Sequence, residues 1–136
     1  MMDLSVTPAS LVSSVYENLT ENIKKLRERN NAPLTLAEKL LFGHATDINS
    51  VSLNKGEDYG DFAPDRVAMQ DATAQMALLQ FMQADLPETA VPTTVHCDHL
   101  IQAYEGAASD LQVANKTHKE VFDFLRTASE KYEIGF

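Results

Sequence analysis

Asp65-Arg66-Val67-Ala68-Met69-Gln70-Asp71-Ala72-Thr73-Ala74-Gln75-Met76 and, further on, Val91-Pro92-Thr93-Thr94-Val95-His96-Cys97-Asp98-His99-Leu100-Ile101 are the stretches that decide how this chain folds. Residues 66–69 form a short apolar run that reads as a buried strand. Residues 72–84 read as a helix, with Met76, Leu79 and Phe81 among its candidates for burial. Thr89 to Val95 is apolar and β-branched, which predicts a second strand ending at His96-Cys97-Asp98-His99. Residues 108–131 read as one long helix with Val113, Val121, Phe124, Leu125 and Ala128 turned inward. Tyr132 to Phe136 reads as a turn and the start of another apolar segment. Strand, helix, strand, helix in this order predicts an α/β unit built on a parallel sheet over residues 65–136, and an incomplete one.

Residues upstream of that unit, 1–64, read as a helical N-terminal arm followed by a long loop. A helix is expected over 7–30: Thr7 can cap it, Pro8 suits its first position, and Leu11, Val15, Leu19, Ile23 and Leu26 share one face. Lys24, Lys25, Arg27 and Arg29 sit near its end, where cations suit the helix dipole and read as a solvated end rather than a binding patch. A shorter helix is expected over 35–42, because Thr35-Leu36-Ala37-Glu38 has the form of a capping box. Thr46 to Pro64, with Gly56, Gly60 and Pro64, reads as a loop longer than is usual in a compact domain.

The bulk numbers narrow the function classes. The 136 residues, 44% of them hydrophobic, are enough for a folded domain with a core. A formal net charge of −9 argues against nucleic acid or an anionic membrane surface as a partner. No window approaches the roughly 18 apolar residues of a membrane span. The first basic residue is Lys24, after Asp3, Glu17 and Glu21, which fits neither an Arg-rich presequence nor a secretory signal. The expectation is a cytoplasmic protein, or a mitochondrial matrix protein after removal of a leader. The one cysteine, Cys97, excludes an internal disulfide and cannot by itself hold an iron–sulfur cluster.

In an open parallel sheet, ligands bind beyond the carboxyl ends of the strands. Gln70-Asp71 and His96-Cys97-Asp98-His99 fall at those ends, and converge on one rim if the strands are neighbours. The second cluster admits several readings. His96, Cys97 and His99 are metal-ligand types, but a structural zinc site needs four ligands. Cys97 and His96 point to opposite faces of a strand, which suits a nucleophilic pair badly. Asp98 with His99 is a carboxylate–imidazole pair able to transfer protons near neutral pH. The plain alternative is a capped strand end with satisfied histidines. Cys97 fits a small core residue, Gln70 a turn or cap residue, and Asp71 the N-cap of the helix at 72.

The two quoted stretches, and the spacing between them, resemble signatures of the aconitase family, the iron–sulfur hydro-lyases of the mitochondrial type. Weaker similarity extends to Leu34-Thr35-Leu36-Ala37-Glu38-Lys39-Leu40-Leu41, to Glu120-Val121-Phe122-Asp123-Phe124-Leu125, and to the last residues up to Gly135-Phe136. The resemblance implies the N-terminal part of an aconitate hydratase and its first α/β domain. That enzyme isomerises citrate and isocitrate through cis-aconitate in the tricarboxylic acid cycle, with a 4Fe–4S cluster as Lewis acid. It further implies that Gln70 contacts substrate and that Asp98 and His99 support proton transfer to the departing hydroxyl. The family's cluster cysteines, serine base and substrate-binding arginines correspond to no residue here. The expectation is therefore a segment that binds no cofactor alone, is inactive alone, has the remainder of an aconitase chain as its partner, and exposes apolar surface prone to oligomerisation. The rival is a non-catalytic aconitase-derived subunit or interaction module. RNA binding, which the family resemblance also raises, is opposed by the acidic balance.

Overall fold

The computed structural model describes residues 7–30, 32–52 and 54–136, so the first six residues of the expected arm lie outside the described residues. These fall into two compact units, 7–65 and 66–136.

In the N-terminal unit, α1 runs from Ala9 to Arg29. Pro8 stands at the cap position, one place before the first helical residue. The expected apolar face is real but uneven: Ile23 and Leu26 are buried, while Leu11, Val15 and Leu19 are only half-buried. α2 runs from Leu36 to Gly43 and begins with the anticipated capping box. Glu38 N–H donates to Thr35 Oγ1 at 3.3 Å, and Thr35 N–H donates to Glu38 Oε2 at 2.7 Å. Gly43 lies against α1 so closely that a Cβ there would meet Leu19 Cδ1 at 2.9 Å. The long loop is not loose. Ala45 and Phe62 form an antiparallel bridge, and the Arg29 guanidinium donates to the carbonyls of Ile48 and Val51. Those contacts fold Ala45, Ile48 and Val51 onto Ile23 and Leu26 as one buried cluster.

In the C-terminal unit, β1 is Val67–Gln70, α3 Asp71–Gln83, β2 Thr93–His96, α4 Ala107–Thr117 and α5 Lys119–Lys131. β1 and β2 pair in parallel, with Val67 opposite Thr93 and Gln70 opposite His96. The α/β unit with a helical N-terminal arm is therefore the observed architecture. The apolar segment at the end begins another pairing on β2: Val95 N–H donates to Gly135 O at 2.8 Å, and Gly135 N–H to Thr93 O at 3.0 Å. The core is Ala74, Leu78, Val95, Leu125, Ala128 and Ile134.

Three expectations are corrected. The long helix of 108–131 is two helices, broken at His118, whose φ of −110° and ψ of 22° leave the α region. Three of the four residues leading into the break, Asn115, Thr117 and His118, are weak helix formers, so little opposes it. Val113, expected inside, is 62% exposed, because the break lets α4 bury Asp110 and Ala114 instead. Met76 and Leu79 are exposed as well, since α3 buries the face of Asp71, Ala74 and Leu78. That helix is apolar on several sides, so its pattern alone does not choose the inward one.

Candidate functional site

The strand register sets the site. Parallel pairing with Gln70 opposite His96 brings the two polar clusters to the same end of the sheet. Gln70 is half-buried, and its Oε1 is buried without a hydrogen-bond partner. Such an acceptor is costly to leave unmade, and a ligand donor can satisfy it.

Asp98 and His99 lie just beyond β2, both exposed. His99 Nδ1–H donates to Asp98 Oδ1 at 2.7 Å. That bond fixes the ring tautomer, so Nε2 is the nitrogen free to take or give a proton. The hydrogen bond from His99 is the main reason the Asp98 carboxyl sits below its ordinary range.

The alternative readings of the cluster fare differently. His96 shares a hydrogen bond with the Thr94 hydroxyl at 2.9 Å. Cys97 is half-buried against the core; burial first, then the charges of Asp71 and Asp98, push its thiol up. A protonated, core-packed thiol is neither a nucleophile nor a metal ligand. Among the described residues, the group whose potential ligand atoms all lie within 4.8 Å of one another is Asp71, Asp98 and His99, without His96 or Cys97. The residues of this chain do not fit a 4Fe–4S cluster, which needs three or four thiolates where the sequence has one cysteine.

Asp71 departs from its expected role. Gln70 occupies the cap position of α3, and Asp71 is the first helical residue, with no solvent exposure. Its Oδ1 accepts from Ala72 N–H at 2.9 Å, and its Oδ2 accepts from Leu100 N–H at 3.0 Å. The second bond spans 29 residues. Nothing local in the sequence announces it, because a helix-start aspartate has a sufficient local role.

A second polar arrangement, also unforeseen, lies in the N-terminal unit. His44 Nδ1–H donates to Leu40 O at 2.6 Å, and Nε2–H donates to Asp65 Oδ2 at 2.5 Å. Both partners are acceptors, so the ring is satisfied as the imidazolium. The Leu40 carbonyl first, then the Asp65 carboxylate, raises the His44 pKa above its ordinary value.

Comparison with known proteins identifies relatives of this chain. The model of the aconitase family (aconitate hydratase) matches residues 38–136. The mitochondrial aconitate hydratase of Schizosaccharomyces pombe is 56% identical over 121 residues, covering 89% of this chain and 15% of that protein. A probable mitochondrial aconitate hydratase of Dictyostelium discoideum is 57% identical over 121 residues, 89% of this chain and 16% of its own length. One of Caenorhabditis elegans is 53% identical over the same extent. The chain thus spans about a sixth of the length of these relatives. With the family model matched over most of its residues, the chain belongs to the aconitase family.

Proposed function

We propose that this chain contributes the proton-transfer pair and one substrate contact to an aconitate hydratase acting on citrate and isocitrate. The observation that carries the reading is the 2.7 Å bond between Asp98 and His99, beyond the carboxyl end of a strand whose neighbour ends in Gln70. Asp98 holds His99 Nδ1–H, which leaves Nε2 to deliver a proton to a departing hydroxyl and to recover it in the reverse direction. Hydroxide is a poor leaving group, so the elimination needs that proton. Gln70, with its buried unpartnered Oε1, is suited to orient a hydroxyl or a protonated carboxyl of the substrate. The family's 4Fe–4S cluster, if it acts here, is held by residues other than these. The names of the relatives favour the mitochondrial matrix as the location.

The test is steady-state kinetics on the full-length polypeptide that carries this segment. His99→Gln and Asp98→Asn should each lower kcat by about 10²- to 10⁴-fold, the range for a lost general acid. Gln70→Ala should act mainly on KM. Unchanged kcat in both His99→Gln and Asp98→Asn would sink the reading.

A further inference from the structure

Asp71 has no solvent exposure and no cationic partner among its hydrogen bonds. Burying a carboxylate is costly, and a serine or asparagine would serve the start of a helix at less expense. The arrangement needs a reason beyond capping. The bond from Leu100 N–H supplies one. Asp71 directly follows Gln70, and Leu100 directly follows His99. One carboxylate therefore fastens the segment after β1 to the turn after β2, immediately beside both groups of the site.

The turn has little else to hold it. The ladder between β1 and β2 ends at His96. Past it, Asp98 and His99 are bonded to each other and stand exposed. Among the described residues, the bond from Leu100 to Asp71 is the one that ties the backbone of 98–101 to another part of the fold. The Asp71 carboxylate also lies with the Asp98 and His99 atoms in a group spanning no more than 4.8 Å. Both of its oxygens already accept backbone N–H groups, so its relation to the pair is support rather than shared ligation.

We propose that Asp71 is the positioning residue of the Asp98–His99 pair: it holds the turn that carries them at a fixed place beside Gln70. The proposal rests on the function proposed above. Its chemistry is indirect, since Asp71 touches neither substrate nor the proton in transit. It sets where His99 Nε2 stands when the substrate hydroxyl departs. Displacing a catalytic group by about 1 Å can cost about 100-fold in rate.

The experiment uses the full-length polypeptide with its cofactor. Asp71→Asn is isosteric and keeps one acceptor oxygen, so one of the two N–H groups loses its partner; Asp71→Ala removes both acceptors. In Asp71→Asn, kcat should fall by about 10- to 100-fold while KM changes less than about threefold. The pH dependence of kcat should shift, and amide exchange read by mass spectrometry should quicken at Leu100 while α3 keeps its protection. Asp71→Ala should be worse in every respect, and if it fails to fold, Asp71→Asn carries the test. Two results overturn the inference. One is faster exchange at Leu100 with kcat and its pH profile unchanged. The other is a loss of thermal stability and cofactor content that accounts for all of the lost activity. Failure of the underlying reading looks different: His99→Gln and Asp98→Asn would then be as active as the parent, whatever Asp71 does.

Discussion

Gln70 and His96 stand opposite one another in the parallel ladder, and each is the last residue of its strand. Everything polar that follows, Asp71 on one side and Asp98-His99 on the other, leaves the sheet at the same level. On the function proposed above, that level would supply a substrate contact and a proton-transfer pair, while the chain's one cysteine gives no cluster ligand set. The purified 136-residue chain is therefore expected to show no conversion of citrate to isocitrate, with or without added iron and sulfide. A coupled spectrophotometric assay that detected turnover by the chain alone would contradict this.

His44 gives the chain a pH-dependent element. Its pKa is raised in the folded state, chiefly by the Leu40 carbonyl and next by the Asp65 carboxylate, above the ordinary value of 6.5. The stabilisation is thus complete below the unfolded value and is lost as pH rises through the folded one. Urea unfolding should show stability falling from pH 6 towards pH 9, by no more than about 1 kcal/mol for a partly exposed pair. His44→Gln should flatten that slope; a slope that persists in the variant assigns it to other groups.

Ser129 is wholly buried, and its Oγ has no hydrogen-bond partner. Alanine fits the same space, removes the unsatisfied hydroxyl and is the better helix former. Ser129→Ala should stabilise the chain by about 1 kcal/mol. Chemical denaturation measures it, and a net loss would mean that the hydroxyl has a role in the fold.

α5 ends at a residue in the left-handed region. Glu133 has φ of 55°, and Ile134 N–H donates back to Ser129 O at 2.9 Å, the pattern of a Schellman stop. A Cβ in this conformation costs energy that glycine avoids. Glu133→Gly should raise stability by about 0.5–1 kcal/mol. The same turn delivers buried Ile134 to the core and Gly135 to β2, so an unchanged midpoint would show that the strain is relieved elsewhere.

Much of this architecture was legible in local pattern. Thr35 and Glu38 announce the capping box because both partners lie within one turn. The runs 66–69 and 89–95 announce strands through composition, although the second is a strand only from Thr93. The carboxyl-end rule then points to the clusters Gln70-Asp71 and His96-Cys97-Asp98-His99, from which the family resemblance singles out Gln70, Asp98 and His99. What escaped is non-local. The bond from Leu100 to Asp71 and that from His44 to Asp65 join residues 29 and 21 apart, and no period in the sequence encodes either. The break at His118 was hidden because the apolar positions on both sides of it continue at helical spacing. The inward face of α3 was hidden for the opposite reason, since too many of its positions are apolar.

Cys97 carries a practical consequence. It is the single thiol of the chain, packed against the core beside the site and kept protonated by its surroundings. A thiol so placed reacts with an alkylating reagent mainly when its neighbourhood opens. Its labelling rate is therefore a built-in clock for local opening at the end of β2. A ligand that docks on Gln70 and His99 should slow that clock without touching the sulfur.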